Sequence, residues 1–158
     1  MSDINSSNFK IAAENSQRYI VISCSASLTL YLLATLDKIE KLKLPIVSFE
    51  VDGFTGLLAF FLLYIFAGIM LWHQASMARE NLKAISELSI RKALMLNPSV
   101  ICGHKYIRFL AAVVPIALFG IAMEKAYHNL PAVILMVSVF SVPYYFSTQV
   151  IYELNKVR

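Results

Sequence analysis

The chain has 158 residues, 58% of them hydrophobic and only 15% charged, with a mean hydropathy of +0.65. Soluble domains carry roughly 25% charged residues, so a deficit of this size, with the apolar residues gathered in blocks, excludes an ordinary soluble domain and points to a membrane protein. The net charge of +4 reads as membrane topology and not as a nucleic-acid footprint, and the two cysteines form no CxxC, which excludes a disulfide framework.

In chain order, residues 1–18 are polar and mixed in charge (Asp3, Lys10, Glu14, Arg18) and lack the features of a signal peptide. The first uncharged run is 19–36, and no small-x-small cleavage pattern closes it at Asp37, so it is expected to be a retained span. The following loop opens with the charged "DKIEKLK", which can prolong the first helix until Pro45. "IVSFEV" then alternates like a short strand, and Asp52–Gly53 turns into the next helix.

A second span is expected at 54–72. It continues without Gly or Pro as "HQASMARENLKAISELSIRKALMLN", an amphipathic helix over 73–97 with Met77, Leu82, Ile85 and Leu88 as its apolar face. Lys83–Glu87 and Glu87–Arg91 are i,i+4 pairs on its other side, and Asn97–Pro98 ends it. The third span, 106–125, needs its charged ends in the headgroups, and the fourth covers 130–152. No linker, repeat or low-complexity tract divides the chain. The reading is all-α, a four-helix transmembrane bundle in a single polytopic domain over 1–158, its second span extended into the cytoplasm, with a strand-like outer loop.

Orientation follows from the basic residues. The N-terminus, the 73–108 segment and the C-terminus hold ten (Lys10, Arg18, Arg79, Lys83, Arg91, Lys92, Lys105, Arg108, Lys156, Arg158). The other side holds four (Lys38, Lys41, Lys43, Lys125). The positive-inside rule then puts both termini in the cytoplasm and the protein in the inner (plasma) membrane. Tyr19, Trp72, Tyr106 and Tyr152 at the inner ends, with Phe54 and Tyr127 at the outer ends, supply the aromatic belt.

Two spans carry hydroxyl stripes. Ser23, Ser27, Tyr31 and Thr35 are four apart; Ser138, Ser141, Tyr145, Thr148 and Tyr152 step by three and four. Small hydroxylated residues let helices approach and hydrogen-bond across the contact, so helix packing is the expected role. Pore lining in a homo-oligomer is the alternative. Pro115 and Pro143 lie inside spans and can kink them.

No charged residue lies in the interior of a span, which argues against a proton-coupled carrier. Glu124 sits at an outer boundary beside Lys125. Cys102 and His104 are too few for a zinc site, and no catalytic or nucleotide-binding motif is present. No enzyme activity, metal or cofactor is therefore expected.

With both ends inside, this four-span plan resembles, in architecture alone, that of small bacterial inner-membrane proteins such as colicin-type immunity proteins. Three functions fit the sequence. The first is a non-catalytic oligomeric subunit that anchors, senses or regulates, docking a soluble cytoplasmic partner through Lys83, Glu87, Arg91 and Lys92, in a defence or signalling setting. The second is a small homo-oligomeric channel or permeabilising effector. The third is an immunity protein against a pore-forming toxin, acting through the outer loop 38–52. The partners expected are the lipid bilayer, further copies of the chain and a soluble protein, with no nucleic acid.

Overall fold

A computed structural model gives the fold and describes residues 2–35, 42–43, 50–51 and 53–154. Helix α1 runs over Ser2–Thr35, α2 over Gly53–Ala84, α3 over Leu88–Leu94, α4 over Lys105–Tyr127, α5 over Leu130–Phe140 and α6 over Val142–Leu154. Among the described residues three helices are long and apolar enough to cross a membrane (α1, α2 and α4). The α5–α6 pair, bent by 47° at Ser141, makes a fourth if it counts as one span. Between α1 and α2, Leu42–Lys43 pairs antiparallel with Glu50–Val51; most of "IVSFEV" and of "DKIEKLK" lies outside the described residues.

Helix α1 is unbroken because no Gly or Pro occurs before Pro45. Its 34 residues span about 50 Å at 1.5 Å each, so the polar segment before Tyr19 is the same rod as the apolar one. Its buried positions are Phe9, Ser16, Ser23 and Leu30 at intervals of seven, with Ala12, Ala13, Ile20, Ala26 and Ser27 between them. Helix α2 repeats the arrangement with Tyr64, Leu71 and Ala78, flanked by Ala67, Ala75 and Leu82, and Ile85 just beyond its end keeps the interval. Phe9 clusters with Leu82 and Ile85 at one end, and Leu30 with Tyr64 at the other, so the two helices are antiparallel. A seven-residue repeat keeps one seam facing its neighbour, and small residues along it allow close approach.

The four rods close a ring. Helix α1 packs on α2 and α4, and α6 on α2 and α4; α5 lies mainly on α4. The bend at Ser141 thus carries the last span from α4 across to α2. Pro143 explains it: a proline here has no N–H to give and its ring crowds the carbonyl of Val139 one turn back. The α4–α5 corner is formed by "HNLP". His128 adopts the left-handed conformation (φ 48°), Asn129 accepts from the Ala132 N–H at 3.3 Å, and Pro131 lies in the first turn of α5.

The expected continuous helix over 73–97 is corrected. Helix α2 ends at Ala84, Ile85–Glu87 is non-helical, and α3 begins at Leu88. Neither Gly nor Pro causes the break. Arg91 folds back so that its guanidinium donates to the carbonyls of Ile85 and of Lys83 (the latter at 3.3 Å), satisfying the end of α2. Glu87 forms no helical pair with Lys83 or Arg91; it is extended (φ −80°, ψ 116°) and accepts from Ser89 Oγ at 2.6 Å. The turn lets Leu94, Met95 and Ile101 close over Phe9, Leu82 and Ile85. Of the expected apolar face, Leu82 and Ile85 are buried, while Leu88 stays 50% exposed and Met77 36%.

The start of α1 and the end of α6 lie at this same end of the bundle, since Phe9 and Leu154 share the cluster. The flanks of the rods stay apolar and exposed, with Val21, Leu28, Leu62, Phe66, Leu110, Ile121, Ile134 and Leu135 among them. Only 24% to 33% of each spanning window is buried within one chain. A surface this greasy needs lipid or protein around it.

Candidate functional site

Two features stand out: a polar knot inside the bundle and a charged surface at the end that carries both termini. The knot joins all four rods. Tyr144 of α6 points its hydroxyl to Ser23 Oγ (2.7 Å) and to the Tyr64 carbonyl (2.8 Å). Ser23 Oγ also lies 2.7 Å from the Tyr19 carbonyl, so the two hydroxyl protons of Tyr144 and Ser23 are shared among three contacts. The Tyr64 hydroxyl and Ser141 Oγ are 2.9 Å apart, and Ser27 donates to the carbonyl of Pro115 in α4 at 3.3 Å. The rings stack in order, Phe119 on Tyr64 at 4.3 Å and Tyr64 on Tyr144 at 4.8 Å.

Gly68 makes room for this stack. A Cβ there would lie 2.5 Å from Cε2 of Tyr144, so the ring occupies the space any other residue would fill. In a low-dielectric interior each of these hydroxyls needs a partner, and each has one within the chain.

The stripe residues are dispersed relative to this knot. Ser23, Ser27 and Ser141 are fully buried in it. Tyr31 and Thr35 are half-buried further along α1, with Thr35 donating to its own helix at the Leu32 carbonyl (2.8 Å). Ser138 and Tyr145 are exposed, and Thr148 is half-buried and donates to the Tyr144 carbonyl at 2.7 Å. The last span therefore has no single hydroxyl face. Once Ser141 breaks the helix, the phase before it no longer predicts the phase after it. The inward positions of α6 are Tyr144, Ser147, Val150, Ile151 and Leu154. Tyr64, Tyr144 and Gly68 were not singled out in the sequence. The signal that would have found Tyr64 is the interval of seven, Tyr64–Leu71–Ala78–Ile85, facing Phe9–Ser16–Ser23–Leu30; it marks neither Gly68 nor Tyr144.

At the terminal end, Lys83, Glu87 and Lys92 are exposed and Arg91 is half-buried. Arg79 and Glu153 tie α2 to α6 at 2.6 Å. The surface is ordered from beneath by the apolar cluster of α1, α2, α3 and α6. His104 faces Tyr106 at 5.2 Å between ring centres, and Cys102 Sγ lies 3.9 Å from the Leu94 carbonyl, so each has a local packing role. Among the described residues no three His, Cys, Asp or Glu side chains converge on a point where a metal could sit.

Comparison of the chain with protein-family models, curated proteins and solved structures finds no match in any of the three.

Proposed function

We propose that this protein is a non-catalytic membrane subunit. It crosses the inner membrane four times with both termini in the cytoplasm, and it holds a soluble partner on the platform formed by the start of α1, the end of α2, and α3. The observation that carries the reading is the apolar cluster beneath the spans. Helix α1, at about 50 Å, outlasts a hydrocarbon core of about 30 Å by roughly 20 Å. A bundle that merely filled the bilayer would have no need of an overhang clamped by Phe9, Leu82, Ile85, Leu94 and Leu154. The clamp buries most of the apolar face, so recognition falls to the charged rim, Lys83, Glu87 and Lys92, held in fixed positions. Charges on a rigid frame give specificity and fast association.

The buried hydroxyls favour packing over a pore. Ser23, Ser27 and Ser141 make their hydrogen bonds inside one chain, which leaves none of them to line a shared lumen. For the same reason they do not support self-association. The test is co-purification from membranes in mild detergent, comparing the native chain with the double variant Lys83→Glu, Lys92→Glu. Arg91 is left in place because it caps α2. The native chain should bring down a soluble protein in stoichiometric amount, and the variant should lose it while remaining in the membrane fraction. A native chain that brings down nothing, or a variant that keeps its partner, refutes the proposal.

A further inference from the structure

We propose that the groove between α1 and the α3–α4 connection holds the headgroup of an aminophospholipid of the phosphatidylethanolamine class, with Arg18 on its phosphate and Glu14 on its ammonium. One part of the groove, about 650 Å³, is lined by Glu14, Gln17, Arg18, Val21, Ile22 and Pro98. A second part, about 480 Å³, shares Gln17 and Pro98 and runs along the connection to Ile107 in the first turn of α4. Glu14 and Arg18 are exposed, and among the described residues they are the only charged side chains that line either part. Four residues apart on one helix, they are spaced to pair with each other. Neither makes an ion pair or a side-chain hydrogen bond among the described residues.

Three features select the ligand. First, Arg18 is the last charge before the uncharged run from Tyr19, and Val21 and Ile22 carry the groove along that run. A ligand that fills it is charged at one end and apolar at the other, and in the four-span reading the charged end lies at headgroup depth. Second, the two charges come in the order of the headgroup. Arg18, nearer the apolar end, meets the phosphate, whose oxygens a guanidinium engages in pairs. Glu14 lies about 6 Å further out along α1, at 1.5 Å per residue, where the ammonium follows two carbons beyond the phosphate. Phosphatidylglycerol has no cation for Glu14, and the quaternary ammonium of phosphatidylcholine has no N–H to donate to it. Third, Ser99 lines the second part, is 7% exposed, and its hydroxyl has no hydrogen-bond partner in the chain. Buried hydroxyls are normally paired; an ester carbonyl of the lipid is the acceptor for this one. The assignment rests on the membrane reading and needs no soluble partner.

The experiment is native mass spectrometry of the full chain in mild detergent with equimolar phosphatidylethanolamine, phosphatidylcholine and phosphatidylglycerol of the same acyl composition. The native chain should retain phosphatidylethanolamine over both others by about fivefold, the equivalent of one charge contact near a membrane surface. Glu14→Gln should bring phosphatidylethanolamine and phosphatidylcholine close to parity. Arg18→Gln and Ser99→Ala should each lower retention of all three, since phosphate and ester are common to them. The exchange Glu14→Arg, Arg18→Glu keeps the net charge and reverses the order, and it should lose the preference. Lys125→Gln, at the far end of α4, should leave it unchanged. Glu14 and Arg18 are exposed, so their variants are expected to fold. A native chain that prefers phosphatidylglycerol or nothing, a preference that survives the exchange, or retention unchanged in both Arg18→Gln and Ser99→Ala overturns the proposal. Failure of the membrane reading would show separately, as chain missing from the membrane fraction of the same preparations.

Discussion

Replacing Gly68 by Ala puts a methyl carbon 2.5 Å from Cε2 and 2.9 Å from Cζ of Tyr144. Ordinary contact begins near 3.4 Å, so the ring must withdraw by about 1 Å. It is poorly placed to do so. Its hydroxyl is tied to Ser23 at 2.7 Å, and its other face stacks on Tyr64. Overpacking of this kind costs about 1–3 kcal/mol, and a lost hydrogen bond between membrane helices about 0.6 kcal/mol. Against this, Ala gains up to about 1 kcal/mol over Gly in helix propensity. The net expectation is a loss of about 1.5 kcal/mol, taking the middle of the overpacking range. The diagnostic is the sign in a second background. With Tyr144→Ala the obstacle is gone, and Gly68→Ala should become neutral or stabilising by up to about 1 kcal/mol. Reversible unfolding in mixed micelles, followed by circular dichroism, measures all four proteins. A Gly68→Ala cost that is the same in both backgrounds, or absent from the native one, refutes the close approach of α2 and α6.

Two further outcomes follow from the packing, measured by the same unfolding assay. Leu82→Ala, in the cluster with Phe9 and Ile85, should destabilise by about 2–5 kcal/mol, whereas Leu88→Ala at an exposed position should stay within about 0.5 kcal/mol. Equal effects would mean that the break at Ile85–Glu87 does not exist in the folded protein. Ser141→Ala and Tyr64→Phe remove the two ends of one buried hydrogen bond, so their effects should be less than additive by about 0.6 kcal/mol. Strict additivity would place the two hydroxyls apart.

The sequence alone determined the rods and their apolar character. A charge content of 15% and uncharged runs of lipid length leave little choice but helices whose backbone satisfies itself, and the observed α1, α2, α4 and α5–α6 cover the four expected runs. The α4–α5 corner, which the sequence reading did not single out, is set just as locally: a capping Asn, an early Pro and a residue able to turn left-handed act within four positions. What only the tertiary structure decided is where each rod breaks and which face turns inward. The expected helix over 73–97 ends at Ala84 because Arg91, seven residues on, reaches back to the carbonyls there, and because burying Leu94 over Phe9 requires a turn. The hydroxyl stripe of the last span dissolved at Ser141, where Pro143 resets the helical phase and brings Tyr144 in and Tyr145 out. Periodicity fixes a face only within one unbroken helix. Across a bend, the neighbour that offers room and a hydrogen-bond partner, here Gly68 with Ser23 and Tyr64, chooses the side chain that is buried.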